Sequence, residues 1–123
     1  MTDLAEFRVR TQADVVVAEI IGEIDLSNAG QMEDVIVGSV PNTALGLVVD
    51  MTATTYIDSS GIRLLLALAG RARTRGQVVV VVTPGGSRVR RVLAVAGADD
   101  ALEVHGTTES ARLHISSTFG GSM

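Results

Sequence analysis

Two adjacent hydroxyl groups at the start of a predicted helix are the side chains of this sequence best suited to chemistry. Asp58, Ser59, Ser60 and Gly61 stand directly before an apolar run that begins at Ile62. Asp and Ser are favoured there because their oxygens accept hydrogen bonds from the unpaired amides of the first turn. The partial positive charge of a helix N-terminus also accommodates a phosphate group, which adds roughly −1.5 to −2 charges. Phosphorylation of Ser59 is therefore chemically feasible, and helix capping alone is the simpler alternative.

The composition limits what the other residues can supply. The 123 residues include no Cys, two His and ten basic residues, all of which are Arg. Disulfide and thiolate chemistry are excluded. With His105 and His114 as the only imidazoles, we expect no metal site, no cofactor and no catalytic triad, and we expect both histidines at the surface. The net charge of −4, with one Tyr, two Phe and no Trp, argues against direct nucleic-acid binding.

The length fits one domain, and the N-terminus begins without the basic and apolar segments of a signal peptide. No stretch approaches the roughly 18 apolar residues of a membrane span. We therefore expect a cytoplasmic protein with no membrane insertion. Between Asp58 and Asp99 there are seven Arg and no acid, which marks either a face for an acidic partner or the solvated outer faces of two helices.

Strands and helices are predicted to alternate along the chain. Residues 7–11 and 15–21 read as a hairpin whose second strand ends at Gly22, and 45–50, 78–82 and 102–105 read as further strands. Helices are expected from Ser27 as N-cap to residue 37, over 59–75, from Ser87 as N-cap to residue 96, and from residue 107 to about 115. These elements predict an α/β fold, a mixed and mostly parallel sheet of about five strands with about four helices. Residues 5–115 would form the domain and 116–123 a flexible C-terminal tail.

Apolar stripes predict which helix faces lie inward. The first helix is expected to bury Ala29, Met32, Val35 and Ile36. The helix after residue 58 is expected to bury a stripe of Ile62, Leu65, Leu66, Ala69 and Ala72. Leu64 and Leu68 lie beside that stripe, and core packing is favoured for them over contact with a partner because a helix crossing a sheet often buries a wide face.

Three segments together resemble the STAS-domain anti-sigma-factor antagonists. They are GEID at 22–25, LVVD at 47–50 and YIDSSGI at 56–62, and the resemblance covers essentially residues 5–115. It implies a STAS fold and a regulator rather than an enzyme. It also implies that Ser59 is phosphorylated by the partner anti-sigma factor, a serine kinase. The unphosphorylated antagonist would bind that kinase and free its sigma factor, and a metal-dependent serine phosphatase would reset it.

The GEID and DSSG segments are expected to form one partner-binding surface. If the second and third strands are parallel neighbours, both segments emerge at the same edge of the sheet. The predicted partner-binding residues are Asp25, Ser27, Asp58, Ser59, Ser60, Gly61 and Arg63.

Other functions remain open from the sequence. A STAS domain can instead serve as an accessory subunit of a transporter or of a stress-signalling complex. A receiver-like domain phosphorylated on Asp50 is disfavoured because such domains need a Lys. A hydrolase with Ser59 or Ser60 as nucleophile lacks an evident base.

Overall fold

Six strands form one mixed sheet in a computed structural model that describes residues 6–120. The strands are β1 Glu6–Gln12, β2 Val15–Ile24, β3 Gly46–Asp50, β4 Thr54–Ile57, β5 Val78–Val82 and β6 Glu103–His105. Their order is β1-β2-β3-β5-β6, and β4 pairs with β2 off this path. The β1–β2 hairpin is antiparallel, as predicted, and all other pairs are parallel. The predicted α/β fold is confirmed, with one strand more than expected.

Four helices cover the two faces of this sheet. They are α1 Ala29–Gly38, α2 Ser59–Thr74, α3 Arg88–Val95 and α4 Thr108–Gly120, and a 3₁₀ turn at Ala98–Asp100 precedes β6. The first three helices pack into the larger of two apolar clusters, whereas α4 packs into the smaller one. Within residues 6–120 no helix is both long and apolar enough to span a bilayer.

The central strands are apolar on both faces because both faces are covered. Val15 and Val17 of β2 belong to the cluster under α4, while Val16 and Ala18 between them belong to the cluster under the other three helices. Alternate side chains of a strand point to opposite faces, so a continuous apolar run supplies both cores.

A bend in β2 creates the strand that the sequence pattern did not predict. Gly22, expected to end β2, has a positive φ of 103° and lies at a register shift, after which β2 continues to Ile24 and pairs with β4. The Thr54 hydroxyl donates to the Ile20 carbonyl over 2.8 Å, and the Gly22 amide donates to the Ala53 carbonyl over 3.1 Å. One long strand therefore pairs first with β3 and then with β4.

Two helix faces differ from the prediction. In α2, Leu64 and Leu68 are buried, which confirms core packing for both, whereas Leu66 is 39% exposed and its predicted burial is wrong. In α1, Val35 is 40% exposed although Ala29, Met32 and Ile36 are buried. Leu66 lies about 160° around the helix axis from both Leu64 and Leu68, so it faces away from the core when those two are buried. Which apolar residues face inward depends on the rotation of the helix about its axis, and the apolar pattern alone left that rotation open.

The last helix is longer than predicted. α4 packs through Ala111 and Ile115 and continues to Gly120, so residues 116–120 of the predicted flexible tail are helical. Residue 5, the predicted start of the domain, and residues 121–123 lie outside the described part of the chain.

Candidate functional site

Asp58 is the N-cap of α2, as the sequence predicts. Its backbone is extended, and its Oδ1 accepts hydrogen bonds from the amide of Ser60 over 2.8 Å and from the amide of Gly61 over 3.4 Å. Ser59 is the first residue of the helix and is exposed, and Ser60 is half-buried. The cap therefore fixes the backbone on both sides of Ser59 while the Ser59 hydroxyl faces solvent.

Gly61 is buried, and its lack of a side chain is required by close packing. A Cβ placed there would lie 2.4 Å from Ile57 Cγ1 and 3.1 Å from Ile24 Cγ2. The first turn of α2 thus rests directly on the ends of β4 and β2. Gly61 therefore supports the site from beneath, and its contact with a partner stays a prediction.

The GEID segment ends in a tight turn built around Asp25. The Asp25 carboxylate accepts hydrogen bonds from the amide of Ser27 over 2.9 Å and from the Ser27 hydroxyl. Ser27 was predicted to cap α1, but the helix begins after Asn28, which makes no capping hydrogen bond with its side chain. Asp25 and Ser27 therefore form a turn of their own on the surface before α1.

Asn28, which was not predicted as a site residue, holds this turn in place. Its side chain is buried, accepts a hydrogen bond from the Asp25 amide over 3.0 Å and donates one to the Glu23 carbonyl over 2.9 Å. The sequence did contain an indication of this role, because Asn28 directly precedes the helix and Asn side chains readily form hydrogen bonds with nearby backbone groups.

Pairing of β2 with β4 brings the two segments together. Ile24 is in register with Ile57, and the Asp58 amide donates to the Ile24 carbonyl over 3.3 Å. The shared edge expected from the sequence therefore exists, but β4 rather than β3 provides it. The polar residues that follow the paired ends of β2 and β4 form what we call the Ser59 corner: Asp25, Ser27, Asp58, Ser59, Ser60 and Arg63.

An open groove between α1 and α2 adjoins the Ser59 corner. Its lining includes Leu26 and Glu33 on one side and Ser60 and Arg63 on the other. The Leu26 side chain is 79% exposed and offers an apolar surface next to these polar groups. The corner thus combines an exposed hydroxyl with an apolar contact and charges of both signs.

Neither alternative chemistry finds support in the geometry. Asp50 is only 8% exposed, and its carboxylate accepts hydrogen bonds from the Thr52 amide over 3.0 Å and the Thr52 hydroxyl over 2.6 Å. These hydrogen bonds stabilise the turn between β3 and β4. The ring nitrogens of His105 face Ser110 and Glu103, so this imidazole is not a base for Ser59.

Comparison with known proteins identifies the class. Residues 6–111 match the family model of the STAS domain. The chain is 33% identical over 98 residues to the anti-sigma-F factor antagonist RsfB of Mycobacterium tuberculosis, covering 79% of this chain and 78% of that protein. This chain therefore belongs to the STAS domain family and, within it, to the anti-sigma factor antagonists. The resemblance found in the sequence is confirmed, and the group is a regulatory one.

Solved structures agree with this assignment. An anti-sigma factor antagonist from Mycobacterium paratuberculosis superposes with a TM-score of 0.81 at 25% identity, covering 91% of this chain and 94% of that one. The unphosphorylated anti-sigma factor antagonist SpoIIAA superposes with a TM-score of 0.71 at 19% identity, covering 89% of this chain and 96% of that one. At the latter identity the likeness concerns the fold alone.

Proposed function

We propose that this chain is an anti-sigma factor antagonist switched by phosphorylation of Ser59. In its unphosphorylated form it binds an anti-sigma factor that is also a serine kinase, and the bound anti-sigma factor releases its sigma factor. The kinase transfers the γ-phosphoryl group of ATP to Oγ of Ser59, the hydroxyl loses its proton, and ADP leaves. A serine phosphatase hydrolyses the phosphoserine and restores binding. All of these partners act in the cytoplasm, where ATP is available.

The exposed Ser59 hydroxyl at the first residue of a capped helix is the observation that carries this proposal. Asp58 accepts hydrogen bonds from the amides of Ser60 and Gly61, so the backbone at Ser59 is fixed while the residue stays exposed. A kinase needs a substrate oxygen that reaches the γ-phosphate in line. Ser60, one residue further along, is half-buried and therefore less accessible.

Electrostatics explains why one phosphate would end binding. The modification adds roughly −1.5 to −2 charges beside the Asp58 carboxylate. A partner that covers the Ser59 corner would have to bury that charge, and an uncompensated buried charge costs several kcal/mol. Asp25 lies on the same surface and adds to the negative potential. Arg63 lies one helical turn along α2 and is the residue placed to offset part of it.

Phosphorylation is tested first with candidate kinases and ATP. We expect intact mass analysis to show one added phosphate and peptide mapping to place it on Ser59. Ser60→Ala is the matched control, because it removes the neighbouring hydroxyl and should still be modified, whereas Ser59→Ala should not. Phosphate on Asp50, or unchanged phosphorylation of Ser59→Ala, would show that Ser59 is not the switch.

Binding to the anti-sigma factor is tested with two replacements of nearly equal size, one charged and one neutral. Ser59→Asp and Ser59→Asn have nearly the same size, so a difference in affinity reports the charge. We expect the Asp variant to bind at least about tenfold more weakly than the Asn variant in calorimetric titration, a partial effect because a carboxylate carries less charge than phosphate. Equal affinities would rule out the electrostatic explanation.

A further inference from the structure

At the sheet edge formed by β6, three potential metal ligands converge. Glu103 and His105 lie on β6, and His114 lies on α4. The Glu103 Oε2 atom is 2.9 Å from His105 Nε2 and 3.7 Å from His114 Nδ1. All three donor atoms lie within 4.8 Å of one another. The histidines expected at the surface are in fact half-buried, with side chains 19% and 34% exposed.

The spacing of these atoms suits a tetrahedral ion. A zinc ion with bonds of about 2.0–2.1 Å to nitrogen and oxygen holds its donor atoms roughly 3.3 Å apart. The measured separations of 2.9 Å and 3.7 Å lie on either side of that value. The third pair of donor atoms, on the two histidines, lies within 4.8 Å, and the imidazole ring centroids are 5.2 Å apart.

One tautomer of His105 leaves a ring nitrogen free to bind a metal ion. Ser110 Oγ lies within hydrogen-bonding distance of His105 Nδ1. If that nitrogen carries the proton of a neutral imidazole, Nε2 presents a lone pair toward the Glu103 carboxylate. Two lone pairs 2.9 Å apart repel unless a proton or a metal ion lies between them. A hydrogen bond to the remote nitrogen is also how metal-binding histidines are usually oriented.

We propose that Glu103, His105 and His114 bind a divalent transition metal ion of the zinc class. Two imidazoles and a carboxylate are ligands that zinc accepts, and three protein ligands leave a fourth position for water. Ser110 orients His105 and acts as a positioning residue. The ion connects the edge strand β6 to α4, which packs on the sheet face opposite to α2. The site is therefore independent of the Ser59 corner.

Zinc titration of the untagged full chain tests the proposal, since a polyhistidine tag would itself bind metal. With ZnCl₂ we expect one equivalent to bind with a Kd of 10 μM or tighter in calorimetry. Co²⁺ should give the visible absorption of a four-coordinate ion. Zinc at a hundredfold excess over Kd should raise the melting temperature by roughly 8 °C or more.

Variants distinguish this site from adventitious binding. His105→Gln, His114→Gln and Glu103→Gln should each weaken binding at least tenfold, and Ser110→Ala should weaken it about tenfold. Glu109→Gln is the matched control, because it removes a carboxylate in the first turn of the same helix outside the cluster. Binding that persists in His114→Gln, or occurs only at millimolar zinc, means an adventitious ion only and overturns the proposal. If variants fold poorly, the Co²⁺ spectrum of the native chain remains decisive: the absence of four-coordinate bands refutes the site.

Discussion

Replacing Gly61 by Ala should destabilise the domain, although alanine is the better helix former. The new Cβ would lie 2.4 Å from Cγ1 and 2.9 Å from Cδ1 of Ile57. Ile57 is only 2% exposed, so it has little room to move. Overpacking of this kind costs about 1–3 kcal/mol, and the gain in helix propensity returns at most about 1 kcal/mol. We therefore expect a net loss of up to about 2 kcal/mol, with about 1 kcal/mol as the central value.

Gly70→Ala is the matched control in the same helix. A Cβ at that position meets no other atom within 4 Å, so only the propensity gain remains and stability should rise by about 0.5–1 kcal/mol. Urea denaturation of both variants measures the difference, and the melting temperature of Gly61→Ala should fall by about 3–8 °C. In an Ile57→Ala background, the loss of unfolding free energy caused by Gly61→Ala should be smaller by about 1 kcal/mol or more, because the Ile57 atoms that clash with the new Cβ are absent.

Two outcomes would refute this reasoning. If Gly61→Ala is as stable as Gly70→Ala, the close contact with Ile57 does not constrain the helix. If Gly61→Ala keeps its stability but is no longer phosphorylated, glycine is needed by the kinase rather than by the packing of α2 on β4.

Three further substitutions separate structural from recognition roles. Asp58→Ala should cost about 1 kcal/mol in urea denaturation because it removes the N-cap, and it should also reduce phosphorylation. Asp25→Ala should weaken partner binding in calorimetry with little change in melting temperature, since the hydrogen bonds of Asp25 to Ser27 are exposed. If Asp25→Ala is unfolded while Asp58→Ala binds normally, Asp25 has the structural role and Asp58 does not. Gln77→Ala should cost about 1–3 kcal/mol of unfolding free energy, because the buried Gln77 side-chain amide donates to the carbonyls of residues 41 and 44 over 2.9 Å and 3.0 Å. Unchanged stability in urea denaturation would show that water takes the place of the Gln77 amide.

Much of the Ser59 corner was predictable because its signals are local. An Asp at an N-cap bonds to amides two and three residues away, so the sequence around Asp58 contains both partners of each hydrogen bond. The run of valines at 78–82 likewise identifies a buried strand without reference to its neighbours. The role of Asn28 was harder to predict, because its bonds to Glu23 and Asp25 depend on the course of the whole turn.

By itself, the amino-acid sequence determined the alternation of strands and helices, the start of α2 and the serine that follows its cap. Tertiary structure decided which residues meet. β4 pairs with β2 beyond the register shift at Gly22, more than 30 residues away along the chain. Leu66 is exposed because Leu64 and Leu68, on the opposite side of α2, are the residues that pack into the core. The cluster of Glu103, His105 and His114 joins a strand to a helix. Such pairings join residues that are remote in sequence. The distances between these residues are set by packing, and local sequence patterns carry no information about them.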